Sequence, residues 1–454
     1  MRATEREVNT STCYRAPARI TQVRDMDPLR AVKGMNDVLP HESAQWQRVE
    51  GSFRRTAALY GFREVRTPFL EPTPLFVRAV GEGTDIVEKE MYSFRHHDDE
   101  LTLRPEGTAG AVRAYVEHKV SNAEPVSRWY YMGPMFRAER PQRGRYRQFS
   151  QAGGEIFGDP GPGCDAEMID MLVSFFKSIG VPDLEVLVNS IGSAETRPKF
   201  RDALKAFFEP KKSALSEDSQ RRLDTNPLRI LDSKDPRDQE ASKGAPTLQE
   251  FLSDEDKKHF ADLRKLLDAL GVEHRVDEKL VRGLDYYTRT IFEIKGAKAK
   301  LGAGDTLCGG GRYDGMVADL GGPKVPAIGF GAGLDRLLIA AEPQGAEAVV
   351  DAFVAPLGEN ALGPALALAR ELRARGIATE ADTRGGSLKS QLRRANAQGA
   401  RLVLILGEGE IGRNVVTLKD LAGHAQEEVP RDHAAAIVAD RLAASGAVRK
   451  EEAP

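Results

Sequence analysis

MFRAERPQRGRYRQF, residues 135–149, carries five arginines in fifteen positions. The chain around it has a formal net charge of −3 over 454 residues. The positive charge is therefore a local device, not one part of a generally basic surface. The Gly144-Arg145 pair predicts a turn, and the flanking residues 129–137 and 146–157 read as two strands. The stretch thus predicts a β-hairpin with a long basic tip, and the remaining sequence is read outward from it.

Strand side chains alternate between faces. Arg137 and Glu139 share one face of the first strand, and Gln151, Gly153 and Glu155 share one face of the second. Aromatic residues are dense here (Trp129, Tyr130, Tyr131, Phe136, Tyr146, Phe149, Phe157), which predicts burial on at least one side. Several charges in a partly buried sheet are costly unless they bind something. A solvated sheet face with paired charges is the plainer alternative.

Three further stretches carry candidate chemistry. TLRPEGTAG (102–110) presents Glu106 and Thr108 in a tight turn, although Thr108 also suits the cap of the helix AVRAYVEH. VRGLDYYTRT (281–290) places Arg282 before a glycine and an aromatic strand containing Tyr286 and Tyr287. AIGFGAGLDRLLIA (327–340) is a glycine-rich strand running into a helix, with Arg336 in the first turn, a pattern suited to a nucleotide. Close packing explains its alternating glycines nearly as well.

Residues 41–62 predict an amphipathic helix with Trp46, Val49, Phe53 and Ala57 on one face, stopped by Gly61. REVRTPFLEPTPLF then predicts one short strand ended by prolines. Residues 196–275 are charged, helical in pattern and poor in β-branched residues. Strand signals return at 286–296, 305–311 and 327–331. From 349 to 446 strand and helix patterns alternate, spelling a separate α/β domain. Within it DTRGGSLKSQLRRANAQG (382–399) supplies Arg384, Lys389, Arg393 and Arg394, suited to RNA phosphates or equally to a solvated helix face. GEGEIG (407–412) matches a dinucleotide fingerprint in form only: it leads into a strand pattern, and its glutamates would repel phosphate.

The longest apolar runs, such as LVLIL at 402–406, are too short to cross a bilayer. Residues 1–30 predict a disordered tail without the apolar core of a secretory signal. Cys13, Cys164 and Cys308 are scattered and odd in number, which argues against a disulfide framework or metal knuckle and fits a reducing cytoplasm.

Taken together, these stretches resemble the class II aminoacyl-tRNA synthetases. KGMNDVLP (33–40) with its following helix, FRAE (136–139) and GFGAGLDRL (329–337) resemble the three class signatures in order. VRGLDYYTRT, TLRPEGTAG, RYRQFSQAGGE and the turn GGGRYDG (309–315) are narrower and resemble histidyl-tRNA synthetases. The resemblance spans about residues 31–446. It implies an α+β fold: an antiparallel-sheet catalytic domain in two parts, 31–195 and 276–345, around a helical insertion at 196–275, and an α/β anticodon-binding domain at 349–446.

The implied activity is ligation of histidine to tRNA in two steps, through histidyl-adenylate. ATP is the implied substrate with Mg2+, whose protein ligands stay unassigned. L-histidine and tRNA(His) are the implied partners, and a cytoplasmic homodimer without membrane attachment the implied state. By resemblance Arg137 and Arg282 hold the α-phosphate, Arg282 standing where other class II enzymes place a metal ion. Glu139, Arg147 and Arg336 complete the ATP site. Glu106, Thr108, Gln151, Glu155, Tyr286 and Tyr287, with Arg282, surround histidine. Arg140, Arg143 and Arg145, on the hairpin turn, face the tRNA acceptor end. A non-catalytic, synthetase-like histidine-sensing regulatory subunit is the rival on the same fold. Such proteins typically lose the signatures and the C-terminal domain kept here.

Overall fold

The computed structural model describes residues 29–341 and 350–444, apart from residues 82–83, 194, 232, 279, 281–285 and 297–304. Arg282 and nearly all of the 1–30 tail lie outside the described residues. The chain divides into two compact units, Met1–Glu342 and Pro343–Pro454.

The first unit opens with α1 (Pro40–Leu59), which starts on Pro40 and buries Val49, Phe53 and Ala57, the apolar stripe that its spacing predicts. Residues 63–76 form not one strand but two fragments, β1 (Arg63–Glu64) and β2 (Leu70–Pro72), followed by α2 (Thr73–Val80). Pro68 separates the fragments, and Pro74 sits in the first turn of α2, where a missing N–H costs nothing. β3 (Tyr92–His96) and β4 (Asp99–Leu103) form a hairpin with β2 alongside β4. After α3 (Thr108–Glu117) come β5 (Ser127–Phe136) and β6 (Gln148–Phe157), the hairpin read from the basic stretch. α4 (Pro162–Ser178) and β7 (Leu184–Ser190) follow.

The helical segment comprises α5 (Thr196–Phe208), α6 (Glu217–Thr225), α7 (Leu228–Leu231), α8 (Pro236–Ala241) and α9 (Asp254–Ala269). Phe200, Leu204, Phe208, Leu223 and Ile230 form an apolar cluster shared with Leu187 and Ile191 at the end of β7 and with Tyr287 and Ile291. α9 turns back to the main core with Phe260, Leu263 and Leu267. β8 (Arg275–Val276), β9 (Thr288–Gly296), β10 (Thr306–Arg312), α10 (Met316–Asp319), β11 (Ala327–Gly333) and α11 (Leu334–Ala340) complete the unit.

Eight strands form one sheet in the order β1-β5-β6-β11-β10-β9-β7-β8. It is antiparallel except at its edges, where β1 joins β5 and β8 joins β7 in parallel. One face packs Tyr130, Ala152, Ile156, Phe292 and Phe330 against α1, α4 and α9. The other face carries the odd-numbered set Tyr131, Gly133, Gln151, Gly153, Glu155, Gly329, Gly331 and Gly309, brought side by side by register. An α+β architecture with an antiparallel floor is thus present as expected.

The second unit contains β12 (Ala352–Leu357), α12 (Leu362–Arg373), β13 (Thr379–Ala381), α13 (Leu388–Ala397), β14 (Leu402–Gly407), α14 (Glu408–Gly412), β15 (Val415–Asp420), β16 (Gln426–Pro430) and α15 (Ala434–Ala444). Its sheet order is β13-β12-β14-β15-β16, parallel through β14 and antiparallel beyond. The GEGEIG stretch is the single helical turn α14, where Glu410 accepts the Gly407 N–H at 3.0 Å. A carboxylate occupies the position a phosphate would need.

Candidate active site

The hairpin β5–β6 and the junction β11–α11 border one cleft of about 320 Å³. Arg137, Glu139, Arg145, Gln151, Glu293 and Arg336 line it. The volume suits a small ligand. Arg137 lies above the Phe149 ring, 5.3 Å from its centroid, and its Nε donates to the Pro105 carbonyl at 2.8 Å. Arg336 Nε donates to the Thr306 carbonyl at 2.6 Å. Burial and the neighbouring Arg145 cation both hold its pKa below the usual arginine value. Two guanidinium groups converging on one partly buried cleft make a setting that an anion relieves.

Asp335, next to Arg336, accepts the Ser150 N–H at 2.8 Å and so ties α11 to β6. Burial raises its carboxyl to about 6, with that N–H opposing the shift. Glu90 comes near the same mouth: burial, then Glu139, raise its pKa, and Arg137 opposes. Neither acid carries a recognisable sequence signal beyond its place beside the motifs.

Arg147 is not among the residues lining the cleft. Its Nε donates to the Glu139 carbonyl at 3.2 Å, and its own N–H donates to the Gly34 carbonyl at 2.7 Å, bracing the first loop. The tip arginines separate as well. Arg140, Arg143 and Arg145 are all exposed, but Arg145 also pairs with Glu139 at 3.4 Å and lines the cleft.

Further along the floor lies a polar cluster centred on Glu155, which is fully buried. Its carboxylate accepts from the Tyr131 hydroxyl at 2.9 Å and from the Tyr313 hydroxyl. Burial raises it to about 8; the hydroxyl donors oppose that rise. Burial also raises Tyr131, Tyr286 and Tyr313 well above 10, so all three stay neutral. Tyr286 packs against Tyr287 and Tyr313, with ring centroids 4.6 and 5.6 Å apart.

Glu106 accepts the N–H groups of Thr108 and Ala109 at 2.8 and 2.7 Å. Glu106 therefore caps α3, and Thr108 does not. The Thr108 hydroxyl instead meets the Tyr131 hydroxyl at 3.2 Å. Burial raises the Glu106 pKa against these N–H donors. Gln151 lies on the same strand face as Glu155, about 13 Å away by strand rise, and so joins the charged cleft to the tyrosine-lined cluster. Its Oε1 is buried without a hydrogen-bond partner among the described residues. A buried acceptor of that kind points to a ligand or water that satisfies it.

Sequence reading alone missed Tyr131 and Tyr313. Register explains both: Tyr131 stands opposite Gly153, and Tyr313 follows β10 in the GGGRYDG turn. A Cβ at Gly153 would lie 2.3 Å from Tyr131 Cζ, so only glycine lets that ring lie across the floor.

A floor that sets a guanidinium-rimmed cleft beside a buried cluster of tyrosines and carboxyls is what class II aminoacyl-tRNA synthetases build, and that is the class this fold defines. The family model described as histidyl-tRNA synthetase matches residues 34–337, and one described as anticodon binding domain matches residues 351–441. The curated histidine–tRNA ligase of Sorangium cellulosum is 59% identical over 413 residues, covering 91% of this chain and 96% of that protein. The apo crystal structure of S. aureus histidyl-tRNA synthetase matches with a TM-score of 0.77 and 34% identity, over 90% of this chain and 100% of that one. A Bacillus halodurans structure titled an ATP phosphoribosyltransferase regulatory subunit/histidyl-tRNA synthetase shares the fold, with a TM-score of 0.62 and 22% identity over 84% of this chain and 99% of that one. The chain belongs to the histidyl-tRNA synthetase family.

Proposed function

We propose that the chain activates L-histidine with ATP and transfers the histidyl group to tRNA(His). The histidine carboxylate attacks the α-phosphorus of ATP, and pyrophosphate leaves. A hydroxyl of the 3′-terminal adenosine then attacks the histidyl carbonyl, and AMP leaves. Phosphoryl transfer of this kind needs positioning and charge stabilisation more than a covalent partner.

Each site residue takes a role in this reading. Arg137, over Phe149, binds the α-phosphate and the substrate carboxylate. Arg336 binds the terminal phosphate, and Glu139 accepts from the adenine amino group. Arg147, which the resemblance places on ATP, serves that site by holding the hairpin's strand ends and the first loop in place. Arg282, placed by resemblance on the α-phosphate, is outside the described residues. Glu155, framed by tyrosine hydroxyls, accepts from the imidazole. Glu106, Thr108 and Gln151 serve the α-amine side, and Tyr286 and Tyr287 wall the ring. A polar pocket this buried rejects apolar amino acids because they leave its groups unpaired, worth about 10⁴-fold. Arg140 and Arg143 meet acceptor-end phosphates, and Arg145 meets them from the rim of the cleft.

ATP brings Mg2+, which supplies positive charge to the leaving pyrophosphate. Among the described residues no group of three or more His, Cys, Asp or Glu could hold a metal by itself. Glu293 and Asp335 line the cleft and would share the ion with the phosphates. The second unit binds the anticodon, the enzyme works as a homodimer through its first signature, and it acts in the cytoplasm. No helix among the described residues is long and apolar enough to cross a membrane.

The observation that carries this reading is the meeting of Arg137, Gln151 and Arg336 in one cleft, with Glu155 on the same face of β6 as Gln151. Amino-acid-dependent ATP–pyrophosphate exchange, run with the common amino acids in parallel, tests it. Exchange with histidine alone is expected. Histidine binding without exchange would instead favour the sensing subunit.

A further inference from the structure

The helical segment and the tyrosine corner are built into one another. Tyr287 and Ile291 are buried in the same apolar cluster as Phe200, Leu204 and Phe208 of α5. Two acids, both almost fully buried, then hold the chain that follows. Asp256, in the first turn of α9, accepts from Arg289 Nε at 3.1 Å. It also accepts from the Ser193 N–H at 3.0 Å and the Thr196 hydroxyl at 3.2 Å. One carboxylate thus joins the exit of the insertion, its return and the start of β9.

Arg289 has φ of +50°. A long side chain adopts that left-handed conformation only where its surroundings hold it there. Here its N–H donates to the Gly192 carbonyl at 2.6 Å, and its carbonyl accepts from Ile191 at 2.8 Å.

One turn along α9, His259 Nε2 donates to Asp165 at 2.9 Å. The same carboxylate accepts from the Thr290 hydroxyl at 2.6 Å and pairs with Arg312 Nε at 3.1 Å. Arg312 is fully buried and precedes Tyr313, whose hydroxyl meets Glu155. The Asp314 N–H donates back to the Thr288 hydroxyl at 3.2 Å. Asp165, Asp256, His259 and Arg289 are not among the residues lining the cleft, yet their bonds bracket Tyr286–Tyr287 on one side and Tyr313 on the other.

We propose that Asp256, His259 and Arg289 are positioning residues for the histidine pocket, transmitting the seating of the helical insertion to the tyrosines that frame the substrate ring. This rests on the histidine-activating reading above. Burying so many polar groups is expensive unless they are paired, and here each of the two carboxylates takes one of its bonds from the start of β9, Asp256 from Arg289 and Asp165 from Thr290.

The test is histidine-dependent ATP–pyrophosphate exchange by the full chain, for wild type, R289G, R289K and D256N, with thermal melts alongside. Glycine accepts the φ at 289 without strain, so R289G removes the guanidinium and leaves the backbone conformation available. Histidine KM is expected to rise about tenfold in R289G and D256N while ATP KM stays within about twofold, as for a misplaced but intact pocket. R289K should recover part of the loss; R289G should melt lower than R289K, because it leaves the buried Asp256 short of a donor, and the melts need only show each variant folded at the assay temperature. A wild-type histidine KM in R289G, or equal rises in both KM values, overturns the proposal. A wild type without histidine-dependent exchange overturns the functional reading, and this inference with it.

Discussion

A Cβ placed on Gly329 would stand 1.6 Å from Oε2 of Glu155. The carboxylate lies flat over β11 and occupies the space that any side chain at 329 would need. Two tyrosine hydroxyls fix it from other directions, and the Gly154 carbonyl is 3.0 Å from the same point. Gly329→Ala should therefore push Glu155 off its partners. Overpacking costs about 1–3 kcal/mol of stability. Histidine-dependent exchange should fall by about 10²-fold through displacement of the pocket's central acceptor, with ATP KM affected far less. Exchange kinetics with each substrate varied in turn checks this.

Glu155 also sets a pH dependence. Burial raises its carboxyl to about 8, against 4.5 for an unperturbed glutamate. Between those values the folded ligand-free protein keeps a proton that the unfolded chain has released. The stabilising contribution is complete below the unfolded value and fades as pH rises towards about 8. The melting temperature of the ligand-free protein should accordingly drop from pH 5 to pH 8. Glu155→Gln, which stays neutral throughout, should flatten that decline relative to wild type. Parallel declines in both proteins would show that other groups govern it.

Arg336 donates to the Thr306 carbonyl from within the cleft. Arg336→Ala should lower pyrophosphate exchange by about 10²-fold, the typical cost of one preorganised charge donor. Arg336→Lys should recover only part, because a point charge does not replace the planar fork. Near-normal exchange in the alanine variant would remove Arg336 from the ATP site.

The two ends of the basic tip should separate in a pair of assays. Arg143 and Arg145 are both exposed, but Arg145 also pairs with Glu139 and lines the cleft. Arg143→Glu should impair tRNA charging and spare adenylate formation. Arg145→Glu should impair both, because it brings a second carboxylate to Glu139. Identical profiles for the two variants would contradict this division.

In the second unit, Arg393 and Arg394 are adjacent but differ in surroundings. Arg394 pairs with the buried Asp382 and donates to the Gly385 carbonyl at 2.9 Å. Arg393 is exposed and lines a groove with Lys389 and His424. Arg394→Ala should cost about 2 kcal/mol in a denaturant melt, by leaving a buried carboxylate short of a donor. Arg393→Glu should leave stability unchanged and reduce tRNA charging without touching exchange.

The elements that were legible in the sequence are those whose signals are local. α1 follows from its apolar spacing, the β5–β6 hairpin from alternation around a glycine turn, and β11–α11 from its glycine-rich junction. The β3–β4 hairpin was not legible, because HHDD contains neither glycine nor proline and its turn rests on a left-handed His97. Within the site, Gln151 and Glu155 were legible from their shared strand face. Tyr131 and Tyr313 were not, because they reach Glu155 through cross-strand register and through a turn more than 150 residues away in the chain. For the same reason Arg147 reads as a cleft residue from its motif but turns outward to brace the first loop. The capping role at α3 fell to Glu106 because a longer side chain reaches two N–H groups at once.

Ser193 and Asp256 are in hydrogen-bond contact although 63 positions separate them. The polypeptide between them therefore leaves and rejoins its parent scaffold through one narrow doorway. Such a layout permits trading only on terms: a module with neighbouring ends can be spliced across that gap, but it must also cover Leu187, Ile191, Tyr287 and Ile291, which share the appendage's apolar cluster.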